Sequence, residues 1–313
     1  MTQPLTMTLN PAIDKTITLP KFELGGLNRL THKPVIDPGG KGVNVAKVLN
    51  QLNTPVTATG YIAGQSGQKF VEELTSLGIN TVFQNIQGDI RTNLKIVDQS
   101  TEQTTEINEP GFSVEDKDLL KFNQTFDELL NDTSYLVLGG STPKGIGDDQ
   151  YKRYIELAKQ KGVKTILDAS GSALREGLKA NPYAIKPNIH ELEELYDTSF
   201  ETKDDILKAC HQLVEGGVQL VIVSLGADGA LFVGREESYE VNPFKIEPKS
   251  TVGAGDSMVG AIVYALNHNF SLKQLSKWST TAGTITASKA GTNVCTLAEI
   301  EELVDQVHVQ AIK

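Results

Sequence analysis

Short apolar runs alternate with amphipathic stretches along most of the 313 residues. Leu5–Leu9, Val56–Tyr61, Tyr135–Leu138, Lys164–Leu167 and Leu220–Leu225 are brief and rich in β-branched or aliphatic residues, the pattern of buried strands. Between them, Val43–Leu52, Phe70–Leu77, Asp116–Leu130, Tyr151–Lys161 and Ile206–Glu215 repeat apolar positions at helical spacing. Ser113, just ahead of Asp116, resembles a helix-capping start. This alternation predicts an α/β chain whose mainly parallel sheet is covered by helices on both faces. The last part changes character. Gly255–Leu266, Leu272–Lys289 and Leu297–Val307 read as successive helices covering one flank of the sheet.

Two stretches do not suit a fully buried parallel sheet. One is Asp14–Ile36; the other is Thr92–Asn108, where Thr92–Asp98 is followed by a polar turn and Thr104–Ile107. The second reads as a hairpin with one wet face. Together they predict a small antiparallel lid built from segments 14–36 and 91–108. Lids exclude water from a reacting site; a solvent-facing hairpin with only a stability role is the alternative. Tandem repeats, low-complexity tracts and obvious linkers are missing, so a single domain over 1–313 is expected.

Composition narrows the classes. With 39% hydrophobic and 22% charged residues a folded core is expected rather than disorder. The net charge is −10 and no Lys/Arg run exists, which argues against a nucleic-acid partner. A bound anion must therefore find local cations. Cys210 and Cys295 could form one disulfide, but two distant cysteines are expected as buried thiols in a reducing compartment. The first residues lack a charged region followed by a long apolar one. No apolar run approaches the roughly 18 residues of a membrane span. The expectation is a soluble cytoplasmic protein without membrane contact.

Candidate chemistry concentrates in Ser250-Thr251-Val252-Gly253-Ala254-Gly255-Asp256-Ser257, which runs into the apolar stretch Met258–Leu266. This is the layout of a turn opening a helix. Gly253, Ala254 and Gly255 let backbone N–H groups approach an anion, and a helix start adds partial positive charge. Asp256 beside them can take a proton from an alcohol. The pair of functions suggests phosphoryl transfer to a hydroxyl; an ordinary helix start is the plainer reading. Pro38-Gly39-Gly40-Lys41-Gly42-Val43-Asn44 is a second glycine-rich turn. It is not a P-loop, since G-x-x-x-x-G-K-[ST] is absent. Its backbone could close on a hydroxyl-rich sugar, with Asn44 donating and accepting, or it is merely a flexible turn.

Other positions carry weaker signals. Asp14, placed by the pattern just past the first strand, could accept from vicinal hydroxyls or be a solvated turn residue. Arg91 suits bidentate phosphate binding, with Lys41 as a second holder, or is a surface charge. In Lys186-Pro187-Asn188-Ile189-His190-Glu191, Asn188 and Glu191 fall on one face of a helical turn. They could hold hydrated Mg²⁺ or simply cap the helix. Position 194 is Glu, so the zinc motif H-E-x-x-H fails. Ser224-Leu225-Gly226-Ala227-Asp228-Gly229 suits a tight turn, under a nucleotide or in a β-hairpin. Gly253–Gly260 does not match G-x-G-x-x-G, which gives a nicotinamide enzyme little support.

Taken together, Gly39–Asn44, Lys186-Pro187-Asn188 with Glu191, and Thr251–Ser257 resemble the signatures of the PfkB branch of the ribokinase-like carbohydrate kinases, in the family's order and over nearly the whole chain. The stretch Gly139-Gly140-Ser141-Thr142-Pro143 stands where that family usually has Ser-Gly-Ser-Leu-Pro. The resemblance implies a ribokinase-like three-layer αβα sandwich with a small β-sheet lid, often used for homodimer contact. It implies ATP as donor and Mg²⁺ as helper. Asp256 would be the base, with Gly253, Ala254 and Gly255 as anion hole. Asp14, Gly39, Gly40, Asn44 and Ser141 would meet the sugar, and Lys41 and Arg91 its existing phosphate. Lys186, Asn188, Ser224, Gly226, Ala227, Gly229 and Thr251 would face the nucleotide, with Asn188 and Glu191 toward the metal. The implied reaction is phosphorylation of D-fructose 1-phosphate at its C6 hydroxyl. Phosphorylation of tagatose 6-phosphate at C1, or non-catalytic sensing of a sugar phosphate, are the alternatives.

Overall fold

The computed structural model describes residues 2–101 and 103–312. The chain opens with β1 (Gln3–Thr8), β2 (Ala12–Leu19), β3 (Val35–Gly39), α1 (Lys41–Gln51), β4 (Thr57–Ala63), α2 (Gly64–Ser76) and β5 (Asn80–Ile86). A hairpin of β6 (Arg91–Asp98) and β7 (Gln103–Asn108) follows, then α3 (Asp116–Leu129), β8 (Thr133–Gly139), α4 (Gln150–Gln160) and β9 (Lys164–Asp168). Next come α5 (Gly171–Leu178), β10 (Ala184–Ile185), α6 (Ile189–Tyr196), α7 (Lys203–Glu215), β11 (Leu220–Ser224), β12 (Ala230–Gly234) and β13 (Ser238–Asn242). The chain ends with α8 (Ala254–Asn267), α9 (Leu272–Ala287), α10 (Leu297–Leu303) and β14 (His308–Ile312).

Ten strands form one sheet in the order β14-β13-β12-β11-β10-β9-β8-β1-β4-β5. All pairings from β11 to β5 are parallel, and β12, β13 and β14 are added antiparallel at one edge. The parallel strands alternate their side chains between two cores, as their period of two requires. Leu136 and Leu138 of β8, Leu167 of β9 and Val221 and Val223 of β11 enter one core with Phe122, Phe126, Tyr154 and Leu174. Val137, Ile166, Leu220 and Ile222 enter the other with Val43, Leu49, Phe70, Val259 and Ile262. Helices α3 to α7 therefore cover one face and α1, α2, α8 and α9 the opposite one, giving three αβα layers.

The sequence pattern did not foresee the antiparallel edge. Leu297–Val307 was expected as one helix, but α10 stops at Leu303, a single 3₁₀ turn spans Val304–Gln306, and β14 then pairs with β13. Helix α3 does begin at Asp116, yet its N-cap is Glu115 and no side chain caps it. Ser113 instead lies in a bridge with Lys144.

A separate four-stranded sheet has the order β3-β2-β6-β7. Its inner pairing, β2 with β6, is parallel, so the sheet is mixed rather than antiparallel. Its strands also reach past the expected segments, to Ala12 and Gly39. Glu102, within the expected 91–108 segment, lies outside the described residues.

Strand β1 fixes where a ligand can enter. It pairs with β4 on one side and β8 on the other, so the strand order reverses there. In open α/β sheets, ligands bind in the crevice beyond the carboxyl ends of strands at such a switch point. Helix α8 is brought close to α1 at Gly260, where an added Cβ would lie 2.5 Å from Val48 Cγ1. Gly260→Ala should therefore destabilise the fold by about 1–3 kcal/mol through overpacking. Val48→Ala in the same chain should recover part of that loss, so the two penalties combine to less than their sum in urea denaturation. Strict additivity would show that the α1–α8 approach is not what Gly260 permits.

Candidate active site

Helix α8 starts in the crevice. Its N-cap, Gly253, has φ 77°, a left-handed conformation that glycine adopts without strain, and no side chain caps the helix. Ser257 N donates to Gly253 O at 2.8 Å, closing the first turn. Gly255 and Asp256 thus present the N–H groups that a helix start leaves without intrahelical partners. The Lys186 ammonium abuts this turn: a Cβ built on Gly255 would come 3.2 Å from Nζ.

Asp256 is only 8% exposed and accepts from Asn44 Nδ2 at 2.8 Å through Oδ2. Burial, and then the negative charge of Asp168, push its carboxyl up to about 6, against smaller opposing effects of Lys41, Asn44 and Lys186. Asp168 closes β9 and is 1% exposed. Its Oδ1 lies 2.8 Å from Lys41 Nζ and 3.4 Å from Lys186 Nζ. Burial opposes its charge, but the two lysines outweigh that and hold the carboxyl below the usual range. Lys41 also stands 3.8 Å from Glu191. Burial disfavours the Lys41 charge as well, yet Asp168, Glu191 and Asp256 together hold it above the ordinary lysine range.

Sequence reasoning missed Asp168, and a signal for it existed. It is a carboxylate at the carboxyl end of a strand, the same argument used for Asp14; the strand was simply ended one residue early. Lys41 also turns out differently grouped. It was paired with Arg91 as a phosphate holder, but its contacts are with Asp168 and Glu191, beside Lys186.

Asp14 lies not past the first strand but within β2 of the small sheet. It is buried, and its oxygens accept from Asn93 Nδ2 at 3.0 Å and Lys95 Nζ at 3.2 Å. Gly39 backs onto it closely enough that a Cβ there would come 2.5 Å from Asp14 Cγ. Gly40 is the N-cap of α1. Arg91 gives one N–H from each of its three nitrogens to backbone carbonyls, those of Asn10 at 3.3 and 3.1 Å and of Glu109 at 3.3 Å, and keeps its other donors. Asn10 in turn reaches Pro110 O at 3.2 Å and Ser141 Oγ at 3.5 Å. Asn10, a second residue that sequence reasoning passed over, thus links Arg91 to the exposed Ser141 loop.

Asn188 and Glu191 form a reciprocal capping box at the start of α6: Glu191 N donates to Asn188 Oδ1 at 2.8 Å, and Asn188 N to Glu191 Oε2 at 2.9 Å. Ser224 N donates to Pro187 O at 3.2 Å, which brings Lys186, Asn188 and Ser224 to one sheet edge. Gly226, Ala227 and Gly229 occupy the turn of the β11–β12 hairpin. Thr251 is exposed in the loop before Gly253. Among the described residues no group of three or more His, Cys, Asp or Glu gathers as a metal centre. With Asn188 Oδ1 and one Glu191 oxygen committed to the cap, this pair fits an ion that keeps its waters and rides on phosphates, the habit of Mg²⁺.

Behind the site, Ser257 Oγ accepts from Thr286 Oγ1 at 2.8 Å, and Thr286 Oγ1 accepts from Cys295 N at 3.1 Å. Cys295 and Cys210 are both free and buried, and burial pushes their thiols up to about 11 and about 12.

A helix start, a carboxylate and two lysines gathered at the switch point of an αβα sandwich define a ribokinase-like kinase. The comparisons agree. The profile of the pfkB family carbohydrate kinases matches residues 7–299. A 1-phosphofructokinase of Borreliella burgdorferi is 37% identical over 308 residues, 98% of either chain. The tetrameric inhibited form of phosphofructokinase-2 from Escherichia coli superposes with a TM-score of 0.91 at 30% identity, covering 98% of this chain and 99% of that one. A possible 1-phosphofructokinase from Thermotoga maritima superposes with a TM-score of 0.92 at 28% identity, covering 99% of this chain and 100% of that one. The chain belongs to the pfkB family of carbohydrate kinases, and it is an ATP-dependent sugar-phosphate kinase.

The raised Asp256 carboxyl makes a stability prediction. The folded chain binds that proton more tightly than the unfolded one, whose carboxyl keeps the ordinary value near 3.8. The penalty of the buried charge is therefore full above about 6 and disappears below 3.8. Asp256→Asn should stabilise the protein at pH 8, by about 3 kcal/mol at most at 1.36 kcal/mol per unit. The gain should fade as pH drops through this window in denaturant titrations. A variant less stable than wild type at pH 8 would overturn the assignment of a costly buried charge.

Proposed function

We propose that the chain transfers the terminal phosphoryl group of ATP to the C6 hydroxyl of D-fructose 1-phosphate, giving fructose 1,6-bisphosphate and ADP. The observation that carries this reading is Asp256 at an uncapped helix start, oriented by Asn44 and faced by Lys186. The 1-phosphofructokinase relative supports the choice of sugar phosphate.

Asp256 accepts the C6 hydroxyl proton as the new P–O bond forms and the bond to the ADP oxygen breaks. Gly253 and Gly255 offer backbone N–H groups to the equatorial oxygens, where charge is spread in the transition state, and Ala254 joins them by giving up its 3.3 Å bond to Thr251 O. Lys186 and Lys41 stand beside that point and neutralise the charge. Asp14, Gly39, Gly40 and Asn44 orient the sugar, while Arg91 and Ser141 meet its existing phosphate. Asn188, Ser224, Gly226, Ala227, Gly229 and Thr251 face the nucleotide. Mg²⁺, held through its waters by Asn188 and Glu191, would neutralise phosphate oxygens when bound. Positioning and electrostatics dominate phosphoryl transfer, and this arrangement supplies both.

The small sheet serves as a lid over the sugar and as the contact of a homodimer. Leu24, Leu27, Leu30, Val35, Ile36 and Ile107 support the second role, since all lie on or between its strands and are 45–92% exposed. The buried free cysteines favour a cytoplasmic setting. No described helix is long and apolar enough to cross a membrane.

ADP release should be measured with Mg·ATP and, in turn, fructose 1-phosphate, tagatose 6-phosphate, fructose 6-phosphate and fructose. The highest kcat/KM is expected for fructose 1-phosphate; a clear preference for tagatose 6-phosphate moves the acceptor to C1 and replaces this reading. Asp256→Asn should leave ATP binding intact and lower kcat by about 10²–10⁴, and near-normal turnover would remove Asp256 as base. For wild type, kcat/KM should fall as pH drops below about 6, because the base is then protonated.

A further inference from the structure

We propose that Asp168 is a positioning residue which holds Lys41 and Lys186 as a pair in front of the helix start, an inference that rests on the phosphoryl-transfer reading above. The two lysines come from unrelated places: Lys41 opens α1, and Lys186 follows β10. Each ammonium sits on a flexible four-carbon stem, so neither position is fixed by its own backbone. One carboxylate oxygen, Asp168 Oδ1, meets both, at 2.8 and 3.4 Å. For Lys186, which is 4% exposed, Asp168 is the one carboxylate within 4.0 Å among the described residues.

The backbone around Asp168 anchors the same neighbourhood. Lys186 N donates to Leu167 O, and Gly140 N donates to Asp168 O, each at 3.2 Å. The end of β9 thereby ties the Lys186 segment and the loop leading to Ser141 to one point. The remaining oxygen, Oδ2, is buried and has no hydrogen-bond partner. A buried charge with an unmatched oxygen is a poor device for stability alone. It is explained if the carboxylate is there to gather cations for a third party, here the transferring phosphoryl group.

The test is a double-mutant cycle on the whole enzyme. Asp168→Asn keeps the shape and removes the charge. It should lower kcat about 10²-fold, within the range for a lost electrostatic group, and weaken ATP-analogue binding by calorimetry about tenfold. The KM for the sugar phosphate and the Mg²⁺ concentration for half-activation should stay as in wild type. Because Asp168 acts through the lysines, adding Asp168→Asn to Lys41→Met, Lys186→Met should cost less than threefold more. Full multiplicativity would overturn the proposal, as would restoration of Asp168→Asn by excess Mg²⁺, which would make Asp168 a metal ligand instead. If Asp168→Asn does not fold by circular dichroism, Asp168→Glu takes its place. It displaces the charge by one methylene and must lose at least tenfold in kcat with the sugar-phosphate KM unchanged; wild-type kcat would overturn the proposal. If wild type prefers another sugar phosphate, the cycle is run on that one, and analogue binding tests Asp168 even if no sugar is turned over.

Discussion

Everything at the crevice depends on keeping opposite charges together where water scarcely reaches. Asp168 and Asp256 are both almost fully buried, and so is Lys186. Removed from water, each charge alone would be prohibitively costly; Lys186 and Lys41 lower the cost of the carboxylates, while the two carboxylates raise each other's. The balance is uneven by construction. Asp168 has two close cations and stays charged, whereas Asp256 has one amide donor and a like charge nearby, which leaves its proton affinity raised. Two carboxylates on one sheet edge thus acquire different chemistry from their surroundings rather than from their own structure.

That grouping needs a rigid frame, because a small displacement would change every interaction in it. The frame is the convergence of three strand ends, β8, β9 and β10, with the starts of α1 and α8. Helix α8 is wedged between α1 and α9 by small residues, which lets backbones approach and leaves the helix little room to slide. Its polar neighbours on α9 extend the restraint: Thr286 bonds Ser257, the residue after Asp256, and also anchors Cys295 N.

Much of this was readable in the amino acids, for identifiable reasons. The parallel strands are short, aliphatic and separated by helical repeats, so local pattern and tertiary position agree. The glycine-rich turns announced themselves because close backbone approach needs a particular residue. What escaped depended on partners distant in the chain. Ser238–Asn242 and His308–Ile312 alternate polar and apolar residues, but over only 5 positions each, and pairing with each other and with β12 is what makes them strands. Asp14 could be placed at the start of a lid segment, but its burial there could not, since that requires Asn93 and Lys95 alongside it. Arg91 could be seen as a phosphate holder but not as a tie between the carbonyls of Asn10 and Glu109, contacts that exist only once the strands are assembled.

The two cysteines give the molecule an internal clock. Cys210 belongs to the core on one face of the main sheet, and Cys295 to the cluster beneath α8, α9 and α10 on the other. Each is sealed from solvent and kept protonated by burial, so an alkylating reagent meets thiolate only when the surrounding layer opens. The labelling rates of the two positions therefore time the breathing of the two layers separately, in a native chain that needs no engineered probe.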